Sequence, residues 1–195
     1  MTRIQPIAPE QATGKAKELL TAVNGKLGMV PNMMRTMATA PAVLDGYLGF
    51  SGSLAKGTLS AKLREQIALT VAERNRCEYC LAAHSTIGKM VGLTEEQILD
   101  SRHAKAIDSR NDALLRFAGR LVEQRGKVND SDLNELRDLG VEDGVIAEVV
   151  ANVALNIFTN YFNHVSEPEI DFPKVAFLPA ANDSCCSNGA CSTTH

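Results

Sequence analysis

Long apolar runs, a strong charge of either sign and an even set of cysteines are all missing from this chain. No stretch approaches the roughly 18 consecutive apolar residues that mark a membrane-crossing helix, so none is expected. The net charge is only -3, from 20 Lys and Arg against 23 Asp and Glu. That balance gives no general attraction to nucleic acid or to an anionic membrane, and neither is expected as a partner. The opening residues, MTRIQPIAPE, hold no apolar core of signal-peptide length, so the expected location is cytoplasmic. No glycine-rich phosphate loop and no exact short repeat stand out. Five cysteines are few for a disulfide-stapled chain of 195 residues, and the number is odd. In a reducing compartment such residues are inert core, metal ligands or redox groups rather than structural disulfides.

What the chain does have is helix-forming sequence with enough apolar residues, 45%, to build a core. Alanine, leucine and methionine recur, and β-branched runs are short. Helical patterns begin at Pro9, Pro31, Pro41 and Ser60, the last with Leu63, Ile67, Leu69 and Val71 on a broad buried face. Asn75 and Arg76 mark a weak turn before CEYCLAAHSTIGKMVG, and TEEQ at 94–97 reads as a capping box. Further helices are expected from Asp108 to near Gly126, over 130–140, and through VEDGVIAEVVANVALNIFTNYFNHV. DFPKVAFLPA reads as extended, and the last residues as a polar tail. The expected architecture is an all-α domain of about eight helices over residues 1–178, with a cysteine-containing tail over 179–195.

The chemistry concentrates in RCEYCLAAH, residues 76–84. A CxxC pair with a nearby histidine is half of a zinc site, but only His103 and His164 remain in the folded body as further ligands, and neither forms a second knuckle. Buried inert cysteines beside a core histidine are the plainer alternative. The redox reading uses the spacing itself. Cysteines at a helix start lie where free N–H groups and the helix field favour a thiolate. Cys80 and His84 are one turn apart, so His84 is placed to take the Cys80 proton or to stabilise its thiolate. Cys80 is then the attacking thiol, and Cys77 resolves the sulfenic acid as a disulfide. A carboxylate should support His84. Glu73 lies 4, 7 and 11 residues before Cys77, Cys80 and His84, and shares their face on one unbroken helix. Glu65 approaches only if the chain turns at Asn75–Arg76. Periodicity slightly favours Glu73.

The stretch REQIALTVAERNRCEYCLAAHSTIGKMVGL resembles the core of the AhpD-like alkylhydroperoxidase family, within the carboxymuconolactone decarboxylase superfamily. The family pattern of a glutamate, eleven residues, C-x-x-C, three residues and a histidine is matched by Glu65, Cys77, Cys80 and His84. The resemblance implies an all-helical fold assembled as homotrimers or homohexamers. It implies a peroxidase in which the second cysteine is peroxidatic and the first resolves, and it moves the supporting carboxylate to Glu65. Its partners are then a small-molecule peroxide and an external dithiol reductant, and no cofactor is expected. One departure is Tyr79, where family members can carry a second histidine between the cysteines. Tyrosine is a poor base near neutrality and is left to donate a hydrogen bond or to pack.

Three features stand apart from this relay. Met29, Met33, Met34 and Met37 line an apolar channel, close a subunit interface or pack as flexible core. Asn163 and His164 fall near a pocket or an interface, or have structural roles. Cys185, Cys186 and Cys191 gather three thiols near His195, suited to a soft metal or metalloid, to a redox relay, or to no role beyond incidental exposed thiols on a terminal tail. The alternative functions are therefore a decarboxylase-like lyase and a metal- or metalloid-binding thiol protein.

Overall fold

The computed structural model describes residues 2–179. Nine α-helices follow a short 3-10 turn, and no strand occurs among the described residues. The helices are α1 (Gly14–Leu27), α2 (Asn32–Met37), α3 (Pro41–Leu54), α4 (Ala61–Arg74), α5 (Glu78–Met90), α6 (Glu95–Arg102), α7 (Ser109–Glu123), α8 (Asp130–Asp138) and α9 (Asp143–Ser166). The all-α expectation holds, with one helix more than the eight expected. The pattern starting at Pro9 does not run as one helix. Pro9–Gln11 forms only the 3-10 turn, and Gly14, at φ +52°, begins a new helix.

Local chemistry explains most of the boundaries. Ser60 caps α4 by accepting the Leu63 N–H at 3.2 Å. Thr94 and Gln97 form the reciprocal capping box expected from TEEQ. Asp108 and Asn129 cap α7 and α8 in the same way, each accepting from the third helical residue. The Glu148 carboxylate on α9 accepts from the Thr58 and Leu59 N–H groups and from the Thr58 hydroxyl, and so secures the α3–α4 connection.

α4 is the central element, packed against α5, α6, α7 and α9. Its residues from Gln66 to Glu73 are all buried, and Ile67, Leu69 and Val71 are fully enclosed. Enclosing each such side chain stabilises the fold by roughly 1.5–3 kcal/mol. On one side lies a cluster with Leu63, Ile67, Val71, Leu114, Leu115 and Val149; on the other lies the cluster of α1, α2 and α5 that contains both Cys77 and Cys80. α9 is long and apolar enough to cross a membrane by length and composition. One face of it packs inward through Val149, Val153, Asn156, Asn160 and Asn163, while Val150, Phe158, Tyr161 and Val165 are exposed on the other.

α9 ends at Glu167 in the left-handed conformation, and the following segment packs back on the domain through Asp171, Ala176 and Leu178. The tail expected from residue 179, with Cys185, Cys186, Cys191 and His195, lies outside the described residues apart from Pro179.

Candidate active site

α4 and α5 do not form one unbroken helix. Asn75 ends α4, Arg76 adopts a left-handed conformation at φ +56°, and Cys77 starts α5 as its N-cap. The reversal folds α5 back against α4 and brings His84 beside Glu65. The His84 Nδ1 and a Glu65 carboxylate oxygen are 2.8 Å apart. Their side chains are 21% and 17% exposed, so the pair faces a partly enclosed rim rather than open solvent.

The break also removes the periodicity argument for Glu73. Glu73 is neither a partner of His84 nor a surface charge. It is buried, holds Arg102 Nε at 2.8 Å and accepts the Leu178 N–H at 2.9 Å. Arg102 also donates to the Ala176 carbonyl, and Arg76 lies over the Phe177 ring. Glu73 therefore anchors the segment that follows α9.

Cys77 and Cys80 are free thiols, each no more than 2% exposed. The Cys77 sulfur accepts the Cys80 backbone N–H at 3.3 Å, the bond made by a side chain capping a helix start. The Cys80 sulfur accepts from the Asn163 side-chain amide at 3.2 Å. The two thiols differ in acidity. The Cys80 S–H donates to Cys77, and with the backbone N–H this draws the Cys77 pKa below that of an ordinary thiol, against its burial. Burial and the neighbouring Cys77 sulfur push Cys80 well up, against the Asn163 and Asn160 amides. In this arrangement the first negative charge belongs at Cys77, one turn before the cysteine that the spacing to His84 picks out as the attacking thiol.

His84 is raised above an ordinary imidazole. Burial opposes its charge, but the Glu65 charge and hydrogen bond outweigh it, with a smaller contribution from Cys77. No hydrogen bond joins His84 to either sulfur among the described residues. Tyr47 on α3 also feels the site: burial, then Glu65 and Cys80, push its phenol up to about 12. Tyr47 carries no motif in the sequence and comes to the site only through the packing of α3.

Tyr79 does donate a hydrogen bond, and it does so away from the thiols. Its hydroxyl gives a 2.7 Å bond to Asp171 and accepts the Met33 N–H at 3.2 Å. Asp171 in turn accepts the Asn32 N–H, and Phe172 meets the Tyr79 ring edge-on at 5.8 Å. Burial holds the phenol far above its ordinary pKa. Tyr79 thus locks the C-terminal segment and α2 onto α5. Met33, Met34 and Met37 are buried in the core cluster beside the thiols, whereas Met29 is exposed. His164 Nε2 lies 2.9 Å from the Asn75 carbonyl, at the turn that carries Cys77. Among the described residues, no three His, Cys, Asp or Glu side chains converge to hold a metal ion.

Residues 41–124, which span α3 to α7, match the sequence model of the Carboxymuconolactone decarboxylase family. Over that stretch, less than half of its length, the chain is similar to that family. The fold is similar to that of an AhpD-core, peroxidase-related protein from Ralstonia eutropha, with a TM-score of 0.77 at 23% identity over 87% of this chain and 92% of that one. The debrominase Bmp8, in its complex with 2,3,4-tribromopyrrole, has a TM-score of 0.74 at 18% identity, over 88% of this chain and 92% of that one. An alkyl hydroperoxide reductase of Mycobacterium tuberculosis is 26% identical over 96 residues, 49% of this chain. That match spans 28% of the relative's length, and less than half of either curated relative is covered.

Proposed function

We propose that this AhpD-like chain is a thiol-dependent peroxidase or disulfide oxidoreductase that cycles Cys77 and Cys80 between dithiol and disulfide. The observation that carries the reading is the meeting of a buried thiol pair at the start of α5 with a His84–Glu65 pair held at 2.8 Å. Glu65 favours the charged imidazole, so His84 is a good acceptor for a thiol proton and, once charged, a good donor to a departing oxygen.

In the proposed cycle the Cys80 proton passes to the Cys77 sulfur, with which it already shares a hydrogen bond, or to His84 through water. The Cys80 thiolate attacks the distal oxygen of a hydroperoxide. The O–O bond breaks, and the alkoxide leaves as alcohol with a proton from His84. Cys80 is now a sulfenic acid. Cys77 gives its proton to the now neutral His84, the Cys77 thiolate attacks the Cys80 sulfur, the departing hydroxide takes that proton from His84 and leaves as water, and the Cys77–Cys80 disulfide forms. An external dithiol returns the pair to its reduced state by exchange. The exposed apolar row of Val150, Phe158, Tyr161 and Val165 on α9 suits the homotrimer or homohexamer that the superfamily resemblance implies.

Stopped-flow consumption of an organic hydroperoxide, with a dithiol supplying electrons, tests the proposal. The same assay with 2,3,4-tribromopyrrole compares the molecule found in complex with Bmp8. Turnover should vanish in Cys80→Ser, and His84→Ala should slow it by roughly a hundredfold or more. Unchanged peroxide turnover in Cys80→Ser would sink the assignment.

A further inference from the structure

The buried face of α9 carries four asparagines, Asn152, Asn156, Asn160 and Asn163, and they do not behave alike. The amides of Asn152 and Asn156 spend their donors on their own helix, on the carbonyls of Glu148 and Asn152, each at 2.8 Å. The last two turn off the helix toward the α4–α5 reversal. Asn160 Oδ1 accepts from the Asn75 amide at 2.9 Å. Asn163 Nδ2 faces two sulfurs, Cys80 at 3.2 Å and Met33 at 3.3 Å. Met33 fixes which way the Asn163 amide points, because a thioether sulfur accepts and never donates. The NH2 end therefore faces the sulfurs. The carbonyl end, Oδ1, is buried with no partner in the protein among the described residues. An amide held in that orientation at a cost of one unpaired oxygen is not ordinary helix packing.

Each sulfur accepts one N–H hydrogen bond, from a different group, with lesser pulls from the Asn163 amide on Cys77 and the Asn160 amide on Cys80. The backbone N–H of Cys80 serves Cys77, and the amide of Asn163 serves Cys80. The backbone donor belongs to the helix start and cannot be varied by sequence. The side-chain donor can. We propose that Asn163 is a positioning residue that sets how the negative charge of the reduced pair divides between its sulfurs, drawing the anion toward Cys80 and against the helix-cap preference for Cys77. Its work is to make Cys80 available as the nucleophile while Cys77 keeps the proton until the resolving step. The inference rests on the reading of Cys77 and Cys80 as a working thiol pair.

The test is the division of a limiting iodoacetamide label between Cys77 and Cys80 in the fully reduced, full-length protein, located by fragment mass spectrometry. Asn163→Leu keeps the side-chain size and removes the donor. It should move the Cys80-to-Cys77 ratio toward Cys77 by at least about fivefold, the scale of one amide hydrogen bond. Asn156→Leu, on the same buried face, should leave the ratio where it is. If Asn163→Leu does not fold, Asn163→Asp replaces the donor with a carboxylate of the same size, and the label should move the same way above the titration of that carboxylate. A ratio within about twofold of wild type in a folded Asn163 variant, or the same shift in Asn156→Leu, overturns the proposal. The labelling uses no peroxide. A shifted ratio in a protein that never consumes peroxide therefore supports the role of Asn163 and removes the peroxidase reading, while the reverse result does the opposite.

Discussion

Glu65 on α4 and His84 on α5 lie 2.8 Å apart, although nineteen positions and a chain reversal separate them in sequence. The contact holds His84 above its ordinary pKa against a burial that works the other way. Removing the carboxylate charge should let burial win. In Glu65→Gln the His84 titration, followed by NMR, should fall below its wild-type midpoint. The linked stability has a definite sign. A raised folded-state pKa contributes stability that is fully present below the unfolded imidazole value, about 6.5, and is lost as pH rises through the folded value. The stability difference between wild type and Glu65→Gln should therefore be largest near pH 6 and shrink toward alkaline pH. Chemical denaturation across that range measures it, and a difference that grows with pH would contradict the pairing.

Arg102 and Glu73 form a buried ion pair, with side chains 9% and 6% exposed. Arg102→Leu strands the Glu73 carboxylate without its cation. It should cost about 3–5 kcal/mol in urea denaturation, and Arg102→Leu combined with Glu73→Leu should recover part of that loss. The same variant frees the Ala176 carbonyl, so proteolysis should reach the segment after α9 sooner in Arg102→Leu than in wild type. Equal cleavage rates would mean that this pair does not anchor the segment.

Tyr79 separates two effects that its place between the cysteines would otherwise confuse. Its hydroxyl bonds Asp171 and Met33, not a sulfur. Tyr79→Phe should lower stability by roughly 1–3 kcal/mol, because Asp171 and the Met33 N–H lose a buried partner. The rate of thiol alkylation in the folded protein should stay near the wild-type value. A large change in alkylation with little change in stability would place the Tyr79 hydroxyl in the thiol chemistry instead.

These residues also show what the sequence made legible. The caps at Ser60 and Thr94 are local, involve residues three apart, and are read directly, while Asp108 and Asn129 cap over the same spacing without a signal the sequence analysis singled out. The relation of Cys77 to Cys80 is local for the same reason. Periodicity points to Glu73 only if one helix runs unbroken across positions 73–84, and the interruption is a left-handed arginine rather than a glycine. The family resemblance supplied Glu65 where periodicity did not. The partners of Tyr79 and Cys80 come from 92 and 83 residues away, across α9, and no local pattern announces them. Four asparagines on one buried helix face were the available signal for Asn163, since a buried amide must find partners.

The central claim is that Cys77 and Cys80 exchange electrons with a peroxide as a pair. Mass mapping of disulfides after one equivalent of an organic hydroperoxide is added to the reduced protein tests it most directly. The account predicts an intramolecular Cys77–Cys80 disulfide formed in near-stoichiometric yield, absent in Cys77→Ser and in Cys80→Ser. Peroxide consumed with both thiols still free, or with the disulfide formed only among Cys185, Cys186 and Cys191, would contradict it.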